Sequence, residues 1–114
     1  DTPAVTLDAT AGVFELSGKS YPEDTREFYG GILAWIDLYV ADPNPETRFV
    51  FKLKYFNSSS YKPLFDILTK LSLLIKKNKT VKVEWHFKNG DEDMKEAGEE
   101  FQELTDLPFS YYSF

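Results

Sequence analysis

The apolar residues of this chain recur with two periods, every second residue or every three to four, and each period marks one kind of element. Val5 to Leu7 and Val13 to Leu16 read as two short strands around a turn at Gly12, with Gly18 expected to end the second. Ser20 and Glu23 then have the S-x-x-E spacing of a helix capping box, and Pro22 suits a first helical turn. Phe28, Ile32, Trp35, Ile36 and Tyr39 follow on one helical face. Asp42-Pro43-Asn44-Pro45 stops that helix in a turn.

Arg48 to Phe56 is the clearest strand. Phe49, Phe51, Leu53 and Tyr55 are expected on one face, and Val50 and Phe56 on the other with Lys52 and Lys54. Apolar residues on both sides fit a strand in the middle of a sheet. Asn57-Ser58-Ser59-Ser60 reads as a loop into a second helix, whose stripe is Leu64, Ile67, Leu68, Leu71, Leu74 and Ile75. Pro63 is tolerated in a first turn, which places the helix start near Ser59 to Tyr61. Thr80 to Lys88 alternates, with Val81, Val83, Trp85 and Phe87 inward and Lys82, Glu84, His86 and Lys88 outward. After an Asn89-Gly90 turn, Asp91, Glu92 and Asp93 open a third helix with a stripe of Met94, Ala97, Phe101 and Leu104. Pro108 ends it, and Phe109 to Phe114 supplies a last edge strand.

The resulting order is β-β-α-β-α-β-α-β. Strands alternating with amphipathic helices predict an α/β fold: a mixed, largely parallel sheet of about five strands with three main helices and right-handed crossovers. The 114 residues suit one domain spanning the chain. Apolar residues make up 42% and aromatic ones 17%, enough for a core without disulfides or a structural metal.

Charge and cysteine content narrow the function classes. A net charge of −6 works against binding to nucleic acid or to anionic lipid. The densest basic group, Lys76, Lys77 and Lys79, falls at a helix C-terminus, where cations favour the dipole. The absence of cysteine excludes thiol catalysis, disulfides and Cys-ligated zinc, and fits a reducing, cytoplasmic setting. No apolar run approaches the about 18 residues of a membrane span, and no signal peptide is visible.

No enzyme signature or cofactor motif emerges. His86, the single histidine, sits mid-strand on the polar side, and no G-x-S-x-G elbow offers it a nucleophile. Gly30-Gly31 lies inside the first helix and belongs to no phosphate-binding motif; close packing is the expected reason for it. The Asp91 cluster lacks the glycine of a calcium loop and reads as a helix cap. The serine turn differs from these. It follows a strand's C-terminal end, where α/β sheets gather binding sites, and it precedes a helix N-terminus, which favours an anion. A phosphate there would add about −1.5 to −2 charges. An ordinary serine cap remains the simpler alternative.

Three segments together carry a resemblance: G-K-S-Y-P-E-D from Gly18 to Asp24, Y-F-N-S-S-S from Tyr55 to Ser60 with Lys62 after it, and V-E-W from Val83 to Trp85 followed by D-E-D-M from Asp91. The chain resembles the SiaC family of bacterial regulatory phosphoproteins, over nearly its whole length. The resemblance implies a fold similar to the STAS domain of anti-sigma-factor antagonists and a partner-switching role without catalysis. It implies a cognate Ser/Thr kinase that modifies a hydroxyl before the second long helix, a PP2C-type phosphatase that reverses this, and a diguanylate cyclase bound by the unmodified protein. The family's acceptor, typically threonine, falls on Ser58, with Ser59 as runner-up because the serine here removes the distinguishing residue. Tyr21, Pro22, Glu23, Asn57, Ser59, Lys62 and Asp91 are then expected on one partner-binding face; the alternative is that each set caps its own helix. Two other readings stay open. One is a small-molecule or lipid-binding STAS-like domain, which needs an unfilled apolar pocket. The other is a small enzyme with Ser58 as nucleophile, which needs His86 beside it.

Overall fold

The computed structural model describes residues 3–20 and 25–114. The elements are β1 (Ala4–Asp8), β2 (Val13–Ser20), α1 (Thr25–Ala41), β3 (Glu46–Phe56), α2 (Ser58–Lys76), β4 (Thr80–Phe87), α3 (Glu92–Thr105) and β5 (Phe109–Ser113). This is the order that the hydrophobic pattern predicts. The strands form one sheet in chain order, β1-β2-β3-β4-β5. β1 runs antiparallel to β2, and the remaining three pairings are parallel. Each parallel neighbour is reached through a helix and the order never reverses, so right-handed crossovers stack α1, α2 and α3 on the same face. No described element covers the opposite face.

The covered face holds the core. Phe14 and Leu16, Phe49, Phe51 and Leu53, and Val81, Val83 and Trp85 come from three adjacent strands and are all buried. Above them lie Tyr29, Ile32 and Ile36 of α1, Leu64, Ile67, Leu68 and Leu71 of α2, and Met94 and Phe101 of α3. Each such side chain contributes about 1.5–3 kcal/mol when fully buried. The rings form a continuous chain of contacts, with centroids 6.3 Å apart for Phe14–Phe49, 4.8 Å for Phe49–Phe51, 5.5 Å for Phe51–Trp85 and 5.7 Å for Trp85–Phe101. The buried indole is satisfied, since Trp85 Nε1–H donates to the Met94 carbonyl at 2.9 Å.

Several local expectations are corrected. Gly18 does not end β2. It takes φ +96°, the register to β3 slips there, and the strand continues to Ser20. Gly18 pairs with Leu53 but Lys19 with Tyr55, so β3 carries one extra residue. That extra residue reverses the alternation beyond it: Phe56 turns in and packs on Phe101, while Tyr55 is half exposed. Ser20 is accordingly a buried strand residue and not a helix cap; Pro22 and Glu23, the rest of that expected cap, lie outside the described residues. α2 begins at Ser58, so Pro63 lies in its second turn, where it withholds the amide that would bond the Ser59 carbonyl. Leu104 is exposed on α3, and Leu107 after the helix is buried in its place.

The glycines also exchange roles. An added Cβ at Gly30 or Gly31 would meet nothing within 4 Å, so tight packing within the chain does not account for this pair. Gly98 on α3 is the close approach: a Cβ there would fall 2.5 Å from Trp85 Cδ1.

Candidate modification and partner-binding site

The extra residue in β3 decides how that strand delivers the serine turn. With Phe56 turned in, the chain leaves the sheet at Asn57, whose amide still bonds the Ser20 carbonyl at 2.8 Å. Asn57 is extended (φ −80°, ψ 167°) and occupies the N-cap of α2. An asparagine there usually accepts an amide of the first turn. This one does not: its Oδ1 accepts the Ser60 hydroxyl at 2.6 Å. The first turn therefore keeps its outward amides, and the positive end of the helix dipole, free of a side-chain cap.

The three consecutive serines have three environments. Ser60 is fully buried and belongs to a chain of hydroxyls. Ser20 Oγ donates to Ser60 Oγ at 3.0 Å and is also bonded to the Tyr29 hydroxyl. Because each hydroxyl carries one proton, Tyr29 donates to Ser20, Ser20 to Ser60, and Ser60 to Asn57. Burial holds the Tyr29 phenol above its ordinary pKa, so it stays a neutral donor. This relay ties α1, the end of β2 and the start of α2 together. Ser59 is exposed, and its hydroxyl bonds Thr25 Oγ1 at 2.9 Å, a second tie between α1 and α2. Ser58 is exposed and its hydroxyl has no partner among the described residues.

Lys62 lies one turn beyond Ser58, exposed and paired with Asp66 at 2.7 Å. A groove of about 450 Å³ runs from here between α1 and α2, lined by Thr25, Arg26, Gly30, Leu33, Ser59 and Lys62 among others. On the other side of the turn, Asp91 caps α3 by accepting the Met94 amide at 3.1 Å. Asp91 also shares a groove of about 290 Å³ with Tyr55 and Phe56, directly ahead of Asn57. The strand-end edge thus brings together Asn57, Ser58, Ser59, Lys62 and Asp91. Tyr21, Pro22 and Glu23 lie outside the described residues, but Ser20 and Thr25, which bracket them, both touch the serine turn. Thr25 and Tyr29 escape notice in the sequence, because nothing in their spacing points to residues some thirty positions on.

His86 lies elsewhere. It sits on the open face of the sheet, bonded to Glu84 at 3.1 Å and stacked on Tyr112 with centroids 4.9 Å apart. The serine turn leads into the helices of the other face, so the nucleophile reading has no histidine base. Of the basic group at the far end of α2, Lys77 Nζ donates to the Val40 carbonyl in the last turn of α1 at 2.6 Å. No helix of the described residues is long and apolar enough to cross a membrane.

The geometry agrees with what the chain is similar to. All of residues 1–114 match the model of the SiaC family regulatory phosphoproteins. An uncharacterised protein of Pseudomonas aeruginosa strain UCBPP-PA14 is 34% identical over 109 residues, 96% of this chain and 86% of the relative. Among solved structures, a chain in the crystal structure of the P. aeruginosa diguanylate cyclase SiaD in complex with its activator SiaC superposes with a TM-score of 0.91 at 33% identity, covering 99% of this chain and 93% of that one. The crystal structure of apo-SiaC from P. aeruginosa gives 0.84 at 31% identity, with 97% and 90% covered.

Proposed function

The chain belongs to the SiaC family of regulatory phosphoproteins, and on that premise we propose that it is a cytoplasmic switch whose unmodified form binds and activates a diguanylate cyclase and whose Ser58 phosphate ends that binding. Members of the family regulate a partner's activity and do not themselves catalyse. In this reading a cognate Ser/Thr kinase writes the phosphate, and a PP2C-type phosphatase removes it.

The observation that carries the proposal is the contrast within Ser58-Ser59-Ser60. Ser60 is buried in a hydroxyl relay, Ser59 is engaged by Thr25, and Ser58 is exposed at a helix N-terminus that lacks a side-chain cap. A kinase must seat the acceptor hydroxyl in its own site, which favours Ser58. The resulting phosphate adds about −1.5 to −2 charges at an edge that already carries Asp91, and it leaves any apolar contact made there with an ion to desolvate. The free amides of the first turn would hold it.

The test is calorimetric titration of the cyclase with unmodified, Ser58-phosphorylated and Ser58→Ala protein. Unmodified and Ser58→Ala protein bind alike, and the phosphorylated form binds at least about tenfold more weakly, about 1.4 kcal/mol. Equal affinity of the phosphorylated and unmodified forms rejects the switch.

A further inference from the structure

Largely parallel sheets are usually covered on both faces. This one is covered on one. The open face carries Lys19, Arg48, Lys52, Lys54, Lys82 and Lys88, six of the chain's thirteen basic residues, in a protein whose net charge is −6. Part of this arrangement sets like charges side by side. Arg48 stands directly across from Lys82. Like charges placed opposite one another destabilise a sheet. Glu84, 3.2 Å from Arg48, and Glu46, 4.0 Å from Lys82, offset this in the body of the patch.

Nothing comparable occurs at the strand ends. Lys19, Lys54 and Lys88, at or just beyond the C-terminal ends of β2, β3 and β4, line one groove of about 410 Å³ with Phe114. None of the three makes an ion pair among the described residues. An adjoining groove of about 360 Å³ shares Lys54 and Phe114 and adds Lys52, Ser17 and Glu15. Lys52 Nζ lies 5.0 Å from the Phe114 ring centre, and Phe114 and Tyr112 expose apolar surface beside the cations.

We propose that this open face is a docking surface for an acidic segment of a protein partner, with Lys19, Lys54 and Lys88 meeting its carboxylates and Phe114 its apolar side chains. Charge complementarity selects that occupant. A long nucleic acid would feel the whole molecule's negative field, including the exposed carboxylates along α3, whereas a short acidic segment feels the local lysines. The surface lies at the same sheet edge as the serine turn but on the opposite face. Its occupancy requires no phosphate, so it stands apart from the switch.

The test uses the Ser58→Ala chain, which removes the modification from the question. Binding of a short fluorescein-labelled peptide rich in Glu and Asp is followed by anisotropy at low and moderate salt. Replacing Lys19, Lys54 and Lys88 together by Glu weakens binding at least about tenfold, while replacing Lys76, Lys79 and Lys95 by Glu, the same change in net charge, alters it less than about twofold. Replacing the three strand-end lysines by Gln gives an intermediate loss without added repulsion, and thermal melts confirm that all the variants fold. Equal losses in the two Glu triples, no measurable binding by the parent chain, or tighter binding of a labelled single-stranded oligonucleotide of equal charge each overturns the proposal.

Discussion

β3 shows both faces of the sheet within one strand. Phe49, Phe51 and Leu53 are buried beneath the helices, while Arg48, Lys52 and Lys54, interleaved with them, are exposed on the open side. The covered side is neutral, close-packed and joined by ring contacts through three strands and α3. The open side is basic, lined by grooves, and sets like charges across from one another. Residues of the first kind decide whether the chain folds. Those of the second kind are released from that demand and are available for recognition. The serine turn lies where the two faces meet at the strand ends, with one serine committed to the interior and two to the surface.

Perturbations that break this contrast rank by how deeply they cut into the covered face. Trp85→Ala removes the ring at the centre of the aromatic chain and leaves its cavity among buried neighbours. It is expected to cost about 3–5 kcal/mol, read by chemical denaturation. Gly98→Ala pushes a methyl into that same ring and is expected to destabilise by about 1–3 kcal/mol. Gly30→Ala, in open space on α1, should instead stabilise by about 0.4–1 kcal/mol, so opposite shifts in melting temperature separate the two helices. Ser60→Ala leaves Ser20 and Asn57 short of a partner. A loss of about 1 kcal/mol is expected, against none for Ser58→Ala. Smallest of all, Lys52→Ala on the open face removes an exposed side chain and its contact with the Phe114 ring, and should change stability by less than about 0.5 kcal/mol.

The element order was legible because both periods are strongly marked, above all in α2 and β4. The register slip was not. Whether Tyr55 or Phe56 faces the core depends on how β3 pairs with β2, and no window within one strand contains that information. Gly30-Gly31 misled for a related reason: the pair looks like a packing motif, whereas the close approach at Gly98 emerges only once the position of Trp85 is known. At the site, the motif brought Asn57 and the serines forward and its register pointed to Ser58, but three identical residues in a row carry no physical distinction of their own. The distinction comes from Ser20, Thr25 and Tyr29, remote in sequence, of which only Ser20 stood out, and then as a helix cap.

The switch is tested by site-resolved mass spectrometry of the chain incubated with and without its cognate kinase. Kinase-dependent phosphate confined to Ser58, and abolished by Ser58→Ala, is the expected result. Phosphate on Ser59 would shift the acceptor by one residue and contradict the assignment made from the engagement of Ser59 by Thr25. Phosphate on the buried Ser60, or none with an active kinase, would contradict the switch as described.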